Sequence, residues 1–131
     1  MHEERDHSMG RLFVFIGSIN AFLAVVIGAY GAHGLKATLS AEMFTVYETG
    51  FDYHIIHSIG LILVGIIAHW ATPSRLLIWA GGLFFAGVAL FSGSLYALSL
   101  TGLRSFGAIT PIGGLCFLVG WLILGLAALK K

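Results

Sequence analysis

A chain of 131 residues that is 58% hydrophobic and only 10% charged, with a mean hydropathy of +0.95, lies far outside the soluble globular range and reads as an integral membrane protein. Its formal net charge is +1, and its seven Lys and Arg residues are scattered singly apart from Lys130 and Lys131, which excludes a nucleic-acid-binding surface. The single cysteine, Cys116, falls inside an apolar run, so no internal disulfide can form and it reads as a small buried hydrophobe.

Residues 1–11 are polar and include His2 and His7, with no pattern that could bury a face; they read as a cytoplasmic tail ahead of one transmembrane domain over residues 12–131. Leu12 to Ala32 is long enough, at about 1.5 Å per residue, to cross a hydrocarbon core of about 30 Å. It is too long and uninterrupted for a signal-peptide core, so it is predicted as the first membrane helix. Its Gly17, Ala21, Ala24, Gly28 and Gly31 draw a stripe of small residues along which another helix can approach closely. Asn20 lies near mid-membrane and must face a helix or a carbonyl rather than lipid.

Gly34 to Asp52 is the longest connection. Ser40 is placed to cap a helix starting at Ala41, with Glu42 in its first turn. Met43, Val46, Tyr47, Gly50 and Phe51 fall on one face and the acidic residues largely on the other, which predicts a short amphipathic helix lying in the membrane interface before the second span. That span is Tyr53 to Trp70, stopped by Thr72 and Pro73.

The third span, Leu76 to Leu98, carries a second small stripe, Gly82, Ala86, Ala89, Gly93 and Ala97; Ser92 and Ser94 beside Gly93 can bond back to their own turn and loosen it. The fourth, Phe106 to Leu129, places Pro111 in its first turns, where a missing N–H costs least. Trp121 lies deep in this span, so its indole N–H wants a partner inside the bundle, and Asn20 is one candidate. The fold predicted is all-α: a polytopic four-helix membrane bundle with a short interfacial helix between helices 1 and 2. Arg5, Arg11, Arg75, Lys130 and Lys131 on the side of the termini outnumber Lys36 and Arg104 on the other, which predicts both termini in the cytoplasm.

The polar residues with chemical potential gather at the outer boundary: His33 at the end of helix 1, and Tyr53, His54 and His57 at the start of helix 2. His54 and His57 are three apart and share a helix face. Together with His33 they are the candidates for a metal or haem site, or for a polar cluster that receives a lipid or quinone headgroup. No nucleophile stands beside a base: Ser58 follows His57 directly, and adjacent helical residues do not face each other, which argues against an enzyme. No cofactor is required by the sequence.

Three blocks carry a family likeness: GAYGAHGL at Gly28 to Leu35, YETGFDYHIIH at Tyr47 to His57, and FSGSLYAL with GAITPIGG between Phe91 and Gly114. Together they resemble the YgdD/YwdK-type family of small inner-membrane proteins, the domain-of-unknown-function 423 group. That resemblance implies a four-helix protein of the bacterial inner membrane, with motif positions at His33, Tyr53, His57, Ser92, Gly93, Thr110 and Pro111, and a glutamine expected where this chain has His54. The reading with fewest assumptions is a structural or accessory interaction module, surrounded by lipid, that packs Asn20, Gly28, Gly93 and Pro111 at helix contacts and joins copies of itself or a larger membrane complex. A binder of lipid, quinone, metal or haem at the outer boundary is the alternative.

Overall fold

The computed structural model describes residues 7–71 and 74–130, and among these it is helical throughout, with no strand. His2, Arg5, the Thr72–Pro73 stop and Lys131 lie outside the described residues. Four helical segments are long and apolar enough to cross a membrane: Ser8–Leu35, Ala41–Trp70, Arg75–Thr101 and Arg104–Leu129. The first consists of α1 (Ser8–Tyr30) and a π-helical turn, Gly31–Leu35. The second is one helix, α2 (Ala41–Trp70). The third is α3 (Arg75–Gly87), a π-helical turn at Val88–Ser92, and α4 (Gly93–Thr101); a 3-10 turn then leads into α5 (Thr110–Leu129).

Two boundaries differ from the sequence reading. Helix α1 starts at Ser8, inside the stretch expected to be a tail, because Gly10 packs on α2: a Cβ there would sit 2.7 Å from the Gly65 carbonyl oxygen. The separate interfacial helix is replaced by the first turns of α2, which runs unbroken for 30 residues. Ser40 caps it as expected, its Oγ accepting from Met43 N–H at 3.1 Å, and Glu42 lies in the first turn. The apolar face of residues 41–52 does not lie against a membrane surface. Tyr47 and Gly50 are buried in the protein, and a Cβ on Gly50 would stand 3.0 Å from the Tyr96 ring, so this face is held upright against α4.

Helix α2 is the centre of the packing. Down its length α1 runs antiparallel, with Gly31 against Tyr47, Gly28 against Phe51, Gly17 against Ser58 and Ile62, and Gly10 against Gly65. At each of these the added Cβ would come within 2.4–2.8 Å of its neighbour, closer than real Cβ atoms approach, so the small stripe of α1 is consumed inside the chain. On another side Gly60 of α2 receives Phe84 of α3, and Phe84 in turn fills the space left by Gly120 of α5. A core of Phe13, Leu61, Val64, Leu77, Ala80 and Phe84 ties α1, α2 and α3 together toward the end where α1 begins.

The small stripe expected on the third span faces the other way. A Cβ on Gly82 would meet nothing within 4 Å, and one on Gly93 would meet only the Val88 carbonyl oxygen at 3.9 Å. The buried face of α3 is made instead by Leu77, Ala80, Gly81, Phe84 and Gly87. The π turn that follows coincides with the place where Ser92 and Ser94 are expected to loosen the helix. Ser94 Oγ donates to the Phe91 carbonyl at 2.9 Å, whereas Ser92 Oγ is fully buried and has no partner among the described residues.

These contacts set a direct test. Gly65→Leu drives a side chain into the α1 backbone and is expected to destabilise the protein by at least the 1–3 kcal/mol typical of overpacking, whereas Gly125→Leu, with nothing within 4 Å, leaves stability unchanged. Thermal unfolding of the two variants in detergent distinguishes them; equal melting temperatures would contradict the α1–α2 contact.

Candidate functional site

The polar groups of the interior hang on two faces of α2 and form two separate networks. His54 belongs to the first. Its Nδ1 lies 3.0 Å from the Tyr96 hydroxyl on α4, and its Nε2 lies 3.1 Å from Asn20 Oδ1 on α1. Asn20 Nδ2 donates to the Ile16 carbonyl at 2.9 Å. A carbonyl only accepts, so the Asn20 amide is oriented with its oxygen toward His54. His54 Nε2 must therefore carry the hydrogen, and Nδ1 accepts from Tyr96. The chain of donors runs Tyr96, His54, Asn20, Ile16, and it joins three helices. Above it, the Tyr47 hydroxyl donates to the Ile27 carbonyl, just before the π turn of the first span, and the Tyr47 and Tyr96 rings pack at 5.4 Å.

His57 belongs to the second network and has the opposite tautomer. Its Nδ1 lies 2.7 Å from the Tyr53 carbonyl and so donates to it, while its Nε2 accepts from the Trp121 indole N–H at 2.9 Å. The ring stacks on Phe117 of α5 with centroids 3.5 Å apart and planes 9° apart. Trp121 thus finds its partner on α2 and not in Asn20, because α5 packs on α3 and its face reaches the His57 side of α2, while α1 holds the His54 side.

His33 does not join either network. It lies exposed in the π turn of the first span and makes no hydrogen bond or ring contact with His54 or His57. Both ring nitrogens of His54 and of His57 are engaged in the bonds above, and among the described residues no three His, Cys, Asp or Glu side chains converge on a common point. A metal or haem iron would have to displace Tyr96, Asn20, Trp121 or the Tyr53 carbonyl to reach an imidazole. At the opposite end of the bundle from His33, His7 packs its ring on His69 at 4.2 Å.

Tyr53 is partly exposed beside the second network, at the rim of an open groove between α2 and α5. Asp52, Tyr53, Ile56, Pro111, Phe117 and Trp121 are among its walls, and its volume is about 1110 Å³. The rings of Tyr53 and Phe91 meet at 4.6 Å, and those of Phe91 and Phe117 at 5.4 Å. Ser94 Oγ and Thr110 Oγ1 lie 2.6 Å apart and fasten the start of α5 to the start of α4. Since α5 has 20 residues and spans about 30 Å, its first turn marks one face of a hydrocarbon core, and Asp52 and Tyr53 lie near that level. The sequence places these residues at a boundary; that α2 and α5 part there depends on helix rotation and leaves no trace in periodicity.

Residues 27–114 match the family described as "Protein of unknown function (DUF423)". The chain belongs to that family. DUF423 relatives align over nearly its whole length: it is 47% identical to the UPF0382 membrane protein SERP0230 of Staphylococcus epidermidis over 120 residues, 92% of this chain and 97% of the relative. It is 48% identical to the UPF0382 membrane protein SSP2132 of Staphylococcus saprophyticus and 44% identical to the UPF0382 membrane protein YwdK of Bacillus subtilis, each over 92% of this chain and 98% of the relative. No solved structure matches the chain. The DUF423 match includes His33, Tyr53, His54 and His57, and it ends before Trp121.

The tautomers are measurable. Nitrogen-15 shifts of the labelled protein in lipid are expected to show the Nε2–H form for one histidine, lost in His54→Gln, and the Nδ1–H form for another, lost in His57→Gln. In a double-mutant cycle, His54→Ala and Tyr96→Phe should couple by about 0.5–1.7 kcal/mol, the range of interhelical hydrogen bonds in membranes, while His57→Ala and Tyr96→Phe should add independently. Matching tautomers, or coupling in the second pair, would contradict the two-network arrangement.

Proposed function

We propose that this DUF423 protein is a structural or accessory module of the bacterial inner (cell) membrane, working by lateral association with copies of itself or with a larger membrane complex. The observation that carries this reading is the outward stripe of the third span. Gly82 and Ala89 are exposed, Ala86 and Gly93 are half-buried, and no side chain of the described residues stands within 4 Å of a Cβ added at Gly82 or Gly93. Glycines in an exposed membrane helix lower its intrinsic stability and serve packing only when another helix approaches. The glycines of α1 are filled by backbone and side chains of α2; those at 82 and 93 are not. The interior supports the same reading, since its imidazoles, amide and indole are all occupied in holding helices together.

Orientation follows from charge. Arg11, Arg75 and Lys130 lie at the end of the bundle that carries the termini, and Lys36 and Arg104 at the other, where Arg104 is paired with Glu42 at 3.3 Å. The termini therefore face the cytoplasm. A reporter active only outside the cytoplasm should be silent when fused after Lys130 and active when inserted at Gly102, in the turn between α4 and α5; the reverse pattern would invert the topology.

Association is tested by Gly82→Leu and Ala89→Leu. Both add bulk to the exposed stripe and leave the core alone, so native mass spectrometry of protein extracted in mild detergent should show the larger species lost with the melting temperature unchanged. A species that survives both substitutions, or a parent protein that is monomeric and without partners, would sink the reading.

A further inference from the structure

The groove between α2 and α5 has dimensions and a polar rim that the association reading leaves unused. It runs from Pro111 at the outer turn of α5 to Trp121, ten residues further on and about 15 Å deeper, which is half of a hydrocarbon core of about 30 Å. Its depth is thus that of one leaflet. Its walls are apolar side chains of both helices, with the Phe117 ring stacked on His57 as part of the lining. At the rim stands Asp52, an exposed carboxylate without a hydrogen-bond or salt-bridge partner among the described residues, whose neighbour Tyr53 presents an exposed ring next to Phe91. Among the described residues no Lys or Arg lines the groove.

That charge pattern chooses among lipids. Anionic headgroups are held by clusters of Lys and Arg, which are missing here, and would meet the Asp52 carboxylate with like charge. An ammonium group meets an opposite charge and aromatic rings at the same place. We propose that the α2–α5 groove is a binding site for one acyl chain of an ammonium-bearing phospholipid of the phosphatidylethanolamine class, with its headgroup amine at Asp52. The chain lies along Ile56 and Leu118 and ends at Trp121, so the indole that fastens α5 to His57 also forms the floor of the site. Tyr53 borders the amine, and its carbonyl orients His57 beneath.

Trp121 supplies the readout, because the protein has three tryptophans and the other two, Trp70 and Trp79, line neither wall of this groove. Trp70→Phe/Trp79→Phe protein is reconstituted in vesicles of phosphatidylethanolamine and phosphatidylglycerol at equal mole fractions, in which one lipid or the other carries bromines midway along its acyl chains. Brominated phosphatidylethanolamine is expected to quench Trp121 with about threefold higher apparent affinity than brominated phosphatidylglycerol, the size an exposed ion pair gives. Asp52→Asn should make the two lipids equal. A Trp70→Phe/Trp121→Phe protein, which reports from exposed Trp79, should show no preference. Equal quenching of Trp121 by both lipids, a preference for the anionic lipid, a preference that survives Asp52→Asn, or the same preference at Trp79 would each overturn the proposal. Protection of Trp121 from both lipids would mean that a protein segment fills the groove, and would overturn it too.

Discussion

In hydrocarbon a polar side chain has no water to fall back on, and α2 carries two imidazoles through that region. Everything else in the structure accommodates this. Each ring has two nitrogens, one donor and one acceptor in the neutral form, and each of the four finds a partner on α1, α2, α4 or α5. The partners lie on different sides of α2, so satisfying the imidazoles also fixes which helix packs on which face. Asn20 and Tyr96 require α1 and α4 on the His54 side, and Trp121 requires α5 on the His57 side. Single interhelical bonds of this kind contribute only about 0.6 kcal/mol on average, so most of the stability comes from packing; the bonds specify the arrangement.

Close packing is what brings those partners within reach. The bond from His54 to Asn20 forms because Gly10 and Gly17 let α1 lie against the α2 backbone, while Gly28 and Gly31 leave room for the Phe51 and Tyr47 rings. On the opposite side Gly113 admits the backbone of the π turn, where an added Cβ would stand 2.3 Å from Phe91 N, and Gly120 admits Phe84. The extra residue in that turn leaves the Ser92 hydroxyl buried and unpaired, while two residues later Ser94 reaches both the Phe91 carbonyl and Thr110. One serine is sacrificed in the turn that lets the other anchor α5.

How much of this can be read from the chain depends on whether the determining physics is local. The four spans, the Ser40 cap and Pro111 in the first turn of α5 are local properties of length, hydropathy and hydrogen-bonding chemistry, and they are legible. That Asn20 must be paired follows from its depth alone. That Trp121 pairs with His57 does not, since it depends on how α5 is rotated against α2. A small-residue period reads the same whether it faces inward, as on α1, or outward, as at Gly82 and Gly93. Nor does an amphipathic period distinguish a face turned to the membrane surface from one turned to protein, which is why the start of α2 reads as a helix lying flat. Equal depth suggests that His33 converges with His54 and His57, but depth says nothing about azimuth, and the π turn leaves His33 exposed.

The two histidine networks close at different stages as the chain is made from its N-terminus. When the first two spans have entered the bilayer, His54 already has Asn20, supplied by the hairpin that emerges with it. The Nε2 of His57 has nothing to accept from until the last span arrives with Trp121. Until α5 is complete, Nδ1 keeps the Tyr53 carbonyl of its own helix but Nε2 has no donor. The polar interior is thus completed in chain order, with the His57–Trp121 bond the last to form.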